Sequence, residues 1–256
     1  MVMTACPDID LWLAYYEEFE ENSPGLLGLL NDAERQQQAR FHFAGDRLRY
    51  LVTRAMVRTV LSRYADVAPT DWIFGTNAYG RPEISPVHTQ ASTLRFNLSH
   101  TDGLIVLGIR QKLELGVDVE QLERKANLEV ADRFFSPREA AELALLPPER
   151  QAHRFFDYWT LKESYIKARG MGLSIPLDSF SFEFPSEETL RLIVDASQDD
   201  PAERWRFWQL ELAGNYLLAV CAERVAEQTP VLNLRRMKTL DAFESMALRV
   251  TKRSEL

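Results

Sequence analysis

A chain of 256 residues with 46% hydrophobic and 11% aromatic content can bury one large core or two small ones, and reads as globular. Its 30 Lys and Arg against 38 Asp and Glu give a net charge of -8, which excludes the broad positive field of a non-specific nucleic-acid binder, so an anionic ligand needs a local basic cluster. No Lys or Arg precedes Arg35 and every apolar run is too short for a bilayer, so neither signal peptide nor membrane segment is expected and the chain reads as cytoplasmic.

Cys6 and Cys221 are the only cysteines, which gives no disulfide framework and no thiolate zinc site; both read as packing residues. Ile9, Leu11 and Leu13 alternate within Ile9 to Tyr15, the pattern of a strand. Asn31 and Glu34 form a capping box that opens a helix, and Asp46 to Tyr64 repeats its apolar residues at helical period. Leu94, Phe96 and Leu98 alternate with polar residues, Thr101-Asp102-Gly103 marks a turn, and Leu104 to Ile109 is apolar, which together predict a hairpin.

A second run of the same kinds of element follows. Leu115 to Glu120 predicts a strand, and Ser136-Pro137-Arg138-Glu139 starts a helix that Pro147 and Pro148 stop. From Glu149 to Arg169 neither Gly nor Pro interrupts a long helix ending at Gly170. Phe180 to Phe184, Trp205 to Leu212 and Tyr216 to Ala222 predict strands. The two runs meet near Arg110 to Leu115, without a literal repeat. Residues 227–256 are polar and helix-prone, with no Gly or Pro from Met237 to Lys252, and predict a peripheral helix or a loose tail.

Four short stretches carry residues suited to chemistry. In Gly116-Val117-Asp118-Val119-Glu120 the period of a strand puts the valines on one face and both carboxylates on the other. Hard oxygen donors at that spacing suit Mg²⁺, although a half-exposed strand has the same pattern. Glu163 and Lys167 lie one helical turn apart, able to meet one substrate or to form an ordinary surface ion pair. Ser99-His100, beside the hairpin turn, offers a hydroxyl and an imidazole to a phosphate, or only punctuates the hairpin. Tyr79-Gly80-Arg81-Pro82 is a turn with a cation in it, and Arg40, Arg47, Arg49 and Arg54 cluster near the first long helix. His42, His88 and His153 lack zinc-ligand spacing and read as surface or packing residues.

The order of these stretches is not generic. Y-G-R-P at 79–82, F-N-L-S-H at 96–100, G-V-D-V-E at 116–120 and W-x-x-K-E-S-x-x-K at 159–167, followed by G-x-G-L, together resemble the Sfp-type phosphopantetheinyl transferases from about Arg40 to Phe184. The resemblance implies an α+β fold with two similar halves in pseudo-twofold arrangement and the active site in the cleft between them. Residues 1–112 would contact the adenosine and phosphates of coenzyme A, and 113–226 would carry the Mg²⁺ and catalytic residues. By motif position Asp118, Glu120 and Glu163 resemble the Mg²⁺ ligands, and Glu163 and Lys167 the catalytic pair. Lys162 and Lys167, Ser99 and His100, and Gly80-Arg81-Pro82 resemble coenzyme A contacts, with Arg49 as a basic contact from the first helix. The implied reaction moves the phosphopantetheine arm of coenzyme A to a serine of an acyl or peptidyl carrier protein and releases 3′,5′-ADP. Carrier protein and coenzyme A are then the partners, the enzyme being a monomer that needs neither nucleic acid nor membrane. Arg81 departs from the lysine of many members, and Glu34 and Gln37 stand where some carry phosphate-binding lysines.

Overall fold

The computed structural model describes residues 6–195 and 199–255. Strand β1 (Ile9–Tyr15) is central to a sheet, so both its faces are apolar: Ile9, Leu11 and Leu13 line one, Trp12 and Ala14 the other. A short helix α1 (Ser23–Leu27) precedes α2 (Asp32–Arg40), which opens on the expected capping box; the Glu34 amide donates to Asn31 Oδ1 at 2.9 Å. Helix α3 (Ala44–Leu61) begins two residues before the predicted start and ends three before the predicted end. Its face of Leu51, Val52, Ala55, Met56 and Val60 is buried in one core with Trp12, Phe96 and Leu107. The 79–82 turn joins the small hairpin β2 (Phe74–Thr76) and β3 (Pro82–Ile84), with Gly80 at φ 87°. The larger predicted hairpin is β4 (Leu94–Thr101) and β5 (Leu104–Gln111).

The second run consists of β6 (Leu115–Gln121), α4 (Leu128–Phe134), α5 (Pro137–Leu145), α6 (Pro148–Arg169), β7 (Phe180–Glu183), β8 (Thr189–Val194), β9 (Trp205–Leu212) and β10 (Tyr216–Glu223). Of these, α4 and β8 carried no clear sequence signal. In each run the first strand leads to helices and then to a hairpin whose last strand pairs antiparallel with the first, β1 with β5 and β6 with β10. The order β1-β5-β4 thus repeats as β6-β10-β9, the topological content of the expected α+β pseudo-twofold arrangement. Helix α3 packs on the outer face of the first sheet and α6 on the outer face of the second. Their inner faces share a third core that includes Leu11, Val106, Val117, Val119, Leu210 and Val220.

Residues 227–256 correct the sequence reading. In place of a helix or tail they form β11 (Leu232–Met237), parallel to β1, β12 (Phe243–Met246) beside β11, and β13 (Val250–Ser254), inserted between β9 and β8. The full orders are β12-β11-β1-β5-β4 and β6-β10-β9-β13-β8-β7, so this segment adds strands to both sheets. Lack of Gly and Pro permits a helix without requiring one. Leu232 and Leu234 alternate with polar residues, and pairing with a buried strand outweighs weak helical propensity. Among the described residues no helix is long and apolar enough to cross a membrane.

Candidate active site

The site begins with a missing side chain. Gly116 lies on the outer face of β6, where a Cβ would run into the Ser164 carbonyl and the Ala168 amide of α6. Glycine lets α6 lie directly against the strand, and the same strand face carries Asp118 and Glu120. The opposite residues, Val117 and Val119, enter the inter-sheet core, as period two requires. Helix α6 therefore brings Glu163 and Lys167 to the two acids.

Asp118 is buried. Its Oδ1 accepts from Lys167 Nζ at 2.6 Å and from Ser99 Oγ at 2.8 Å, whereas its Oδ2, equally buried, has no hydrogen-bond partner. Burial raises the Asp118 carboxyl above the usual carboxylate range, against the pull of Lys167 and Ser99. Glu120 accepts from Arg124 Nη1 at 2.7 Å and Thr101 Oγ1 at 3.2 Å; burial, then the neighbouring Asp118 charge, also raise its carboxyl. Glu163 is pushed up to about 7, first by burial and then by Asp118, with Glu120 adding to the shift and Lys167 opposing it. Three carboxylates thus share one field.

Among the described residues no group of three His, Cys, Asp or Glu is already arranged as a metal shell. Lys167 holds one oxygen of Asp118 and Arg124 one of Glu120, so protein cations partly balance the acids. The donor set nevertheless fits a hard divalent cation: all its members are carboxylates, the Asp118 charge raises both glutamates, and the orphaned Asp118 Oδ2 lacks a partner that such a cation provides.

A cleft of about 400 Å³ adjoins this cluster, lined by Lys167 and Ile166 from α6, Thr53 from α3, Leu98 and His100 from β4, and Tyr79, Gly80, Arg81 and Pro82 from the small hairpin. Burial, then the charges of Arg49 and Lys167, lower the His100 imidazole. Arg49 pairs with Asp46 at 2.7 Å. Arg81 is spoken for: its guanidinium binds Glu114 at 2.7 Å and Glu83 at 3.1 Å, donates to the Ala168 carbonyl at 3.3 Å and packs under Gly170. Its side chain braces the turn against the C-terminus of α6. Asn77 adds to that brace by donating to the Gly170 carbonyl at 2.7 Å.

Three expected contacts do not line the cleft: Arg49, Lys162 and Ser99. Lys162 is 0% exposed, with its Nζ 2.7 Å from Glu139 and 2.7 Å from each of the Leu177 and Phe180 carbonyls. Those partners use all three ammonium protons, so Lys162 secures α6 to α5 and β7 and is not a coenzyme A contact. Ser99 is buried too; its hydroxyl donates to Asp118 and accepts from Lys167 at 3.1 Å and from the Val119 amide at 3.3 Å. Glu34 likewise points inward, paired with Arg54 and, at 2.8 Å, with Arg58, whereas Gln37 is exposed. The roles of Asn97, Thr101, Glu114 and Arg124 went unread in the sequence. The polar alternation Arg95-Asn97-Ser99 was visible there as one strand face, Thr101 being read as part of the turn, but nothing identified β6 as what that face meets.

Residues 114–221 match the family model described as the 4′-phosphopantetheinyl transferase superfamily, and residues 12–112 match that of the 4′-phosphopantetheinyl transferase N-terminal region. The chain is 31% identical to a 4′-phosphopantetheinyl transferase of Bacillus subtilis over 77% of its own length and 84% of that protein's. It is 30% identical to the 4′-phosphopantetheinyl transferase Sfp of Bacillus subtilis strain 168, over 79% and 86% of the two chains. With the 4′-phosphopantetheinyl transferase HetI of a Nostoc species it shares 33% identity over 65% and 70%. The crystal structure of Thermotoga maritima holo-[acyl-carrier-protein] synthase overlaps 43% of this chain and 62% of its own, with a TM-score of 0.35 and 20% identity, too slight a likeness to argue from.

Proposed function

Because the chain belongs to the 4′-phosphopantetheinyl transferase superfamily, we propose that it transfers the phosphopantetheine arm of coenzyme A to a serine of an acyl or peptidyl carrier protein, using Mg²⁺ and releasing 3′,5′-ADP. What supports this reading is the meeting of two faces beside one cleft: Asp118 and Glu120 on β6, Glu163 and Lys167 on α6. Residues 1–112 form the adenosine side. The Gly80 to Pro82 backbone approaches the base, while Arg49 and His100 meet phosphate, the Arg81 guanidinium being held by Glu83 and Glu114. Residues 113–226 supply the reaction side.

Transfer forms a bond from the serine oxygen to phosphorus and breaks the pyrophosphate bond to 3′,5′-ADP, so negative charge grows on the departing oxygen. Asp118, Glu120 and Glu163 would hold the cation, whose contribution when bound is to neutralise charge on the pyrophosphate. Lys167 supports the leaving phosphate from the cleft wall. Glu163 accepts the serine proton through an oxygen that the metal does not use.

Chromatography of a mixture of the protein, coenzyme A and Mg²⁺ tests this directly. The expected result is 3′,5′-ADP only when an apo carrier protein is present. Equal release without any carrier would mean that water is the acceptor, and the protein would be a hydrolase.

A further inference from the structure

Strands β4 and β6 are edges of different sheets and share no backbone ladder. Side chains join them instead. The Val117 amide donates to Asn97 Oδ1 at 2.9 Å and the Val119 amide to Ser99 Oγ at 3.3 Å, so acceptors two residues apart on β4 meet donors two residues apart on β6. Thr101 Oγ1 extends the seam to Glu120 at 3.2 Å. All three β4 residues are buried, at 6%, 5% and 4% exposure, where an unmatched amide is costly. A slip of one residue would send Asp118 and Glu120 into the inter-sheet core, so the seam fixes both register and face.

Ser99 does more than pair an amide. A hydroxyl has one proton and two lone pairs; here the proton goes to Asp118 Oδ1, and the lone pairs take the Val119 amide and Lys167 Nζ. None of its capacity is left for a ligand. Ser99 and Lys167 together occupy Oδ1 of Asp118, which leaves Oδ2 as the open oxygen.

We propose that Ser99 is a positioning residue for Asp118: with Asn97 it locks β6 to β4 and holds Asp118 by Oδ1, so that Oδ2 is the oxygen left for a divalent cation, and it does not bind phosphate. This rests on the reading of the acids as Mg²⁺ ligands. The test uses the full chain with saturating coenzyme A and Mn²⁺ as the probe, free Mn²⁺ being read by electron paramagnetic resonance. Coenzyme A affinity is measured separately by calorimetry in EDTA. Ser99→Ala is expected to weaken Mn²⁺ about ten- to hundredfold, the usual effect of losing a group that orients a metal ligand, with less than a twofold change in metal-free coenzyme A affinity. Ser99→Thr, which keeps the hydroxyl, should restore Mn²⁺ to within about threefold of wild type. Should the alanine variant not fold, Ser99→Cys, nearly isosteric and a poor donor, carries the same expectation. A tenfold loss of metal-free coenzyme A affinity, or unchanged Mn²⁺ affinity, would overturn the assignment. Wild-type protein that leaves all the Mn²⁺ free would instead refute the metal reading itself, and this inference with it.

Discussion

Asp118 has two oxygens with different fates, one held by Lys167 and Ser99 and the other buried without a partner. That asymmetry separates the roles of the two charged residues. If Asp118 holds the cation as proposed, Asp118→Ala would remove a ligand, and part of its lost activity should return as Mg²⁺ is raised. Lys167→Ala should lower kcat on the order of a hundredfold, a loss that saturating Mg²⁺ does not restore, because the ammonium would act on charge that develops in the transition state. Kinetics at several Mg²⁺ concentrations check both, and rescue of the lysine variant alone would reverse the assignments. The acid pair was legible because a strand has period two. Lys162 misled because it adjoins Glu163 in the motif, yet successive helical residues point about 100° apart. Lys162 falls on the buried face with Tyr158, Tyr165 and Ile166, while Glu163 and Lys167 share the face toward the acids.

Helix α6 and strand β6 meet through Gly116, a contact that no periodicity reveals, since the sequence shows the glycine but not the backbone pressed against it. Gly116→Ala should cost about 1 to 3 kcal/mol or more, because the added methyl meets fixed helix backbone rather than a side chain that can turn away. Moving α6 off the strand also parts Glu163 and Lys167 from Asp118. Activity should therefore fall further than the loss of folded protein explains, as thermal melts and kcat on the same preparation would show; a fully active, equally stable variant would contradict this packing. The hairpin β4-β5 and helix α6 were readable from local signals, Thr101-Asp102-Gly103 for one and Gly170 for the other. The strands β11 and β13 were not, because the strands they join, β1 for one and β9 and β8 for the other, are not their neighbours in sequence, and β12 only follows β11.

The last strand also ties α6 to the second sheet at one buried cluster. Asp157 of α6 is 2% exposed and faces Lys252 of β13 at 2.9 Å, with His153 and Arg154 of its own helix at 3.5 Å. Burial alone would raise the Asp157 carboxyl, but His153 and Lys252 outweigh it and hold it below its ordinary value. The hydrogen bond to Asp157 raises His153 in return, against burial and Lys252, with Glu211 adding to the rise. A raised histidine contributes stability that is complete below its unfolded pKa and lost as pH climbs through the folded one. A lowered aspartate contributes stability present above its unfolded pKa and lost as pH falls through the folded one. The melting temperature should therefore decline from slightly acid pH through neutrality, and again in strong acid. His153→Gln should lessen that neutral decline without removing it, because the raised Glu163 carboxyl also costs stability as pH rises toward 7; His153 is half-exposed, so solvent keeps its share small. A neutral decline of unchanged slope in the variant would place its source elsewhere than His153.

In the proposed function the two halves meet to move phosphopantetheine onto a serine hydroxyl. Intact-mass spectrometry of an apo carrier protein, incubated with this enzyme, coenzyme A and Mg²⁺, tests it most directly when the same carrier with its acceptor Ser→Ala is run beside it. The serine carrier should gain the mass of one phosphopantetheine, the alanine carrier should not, and EDTA should abolish the gain. A carrier that stays unmodified while coenzyme A is consumed, or modification that survives both EDTA and loss of the serine, would contradict it.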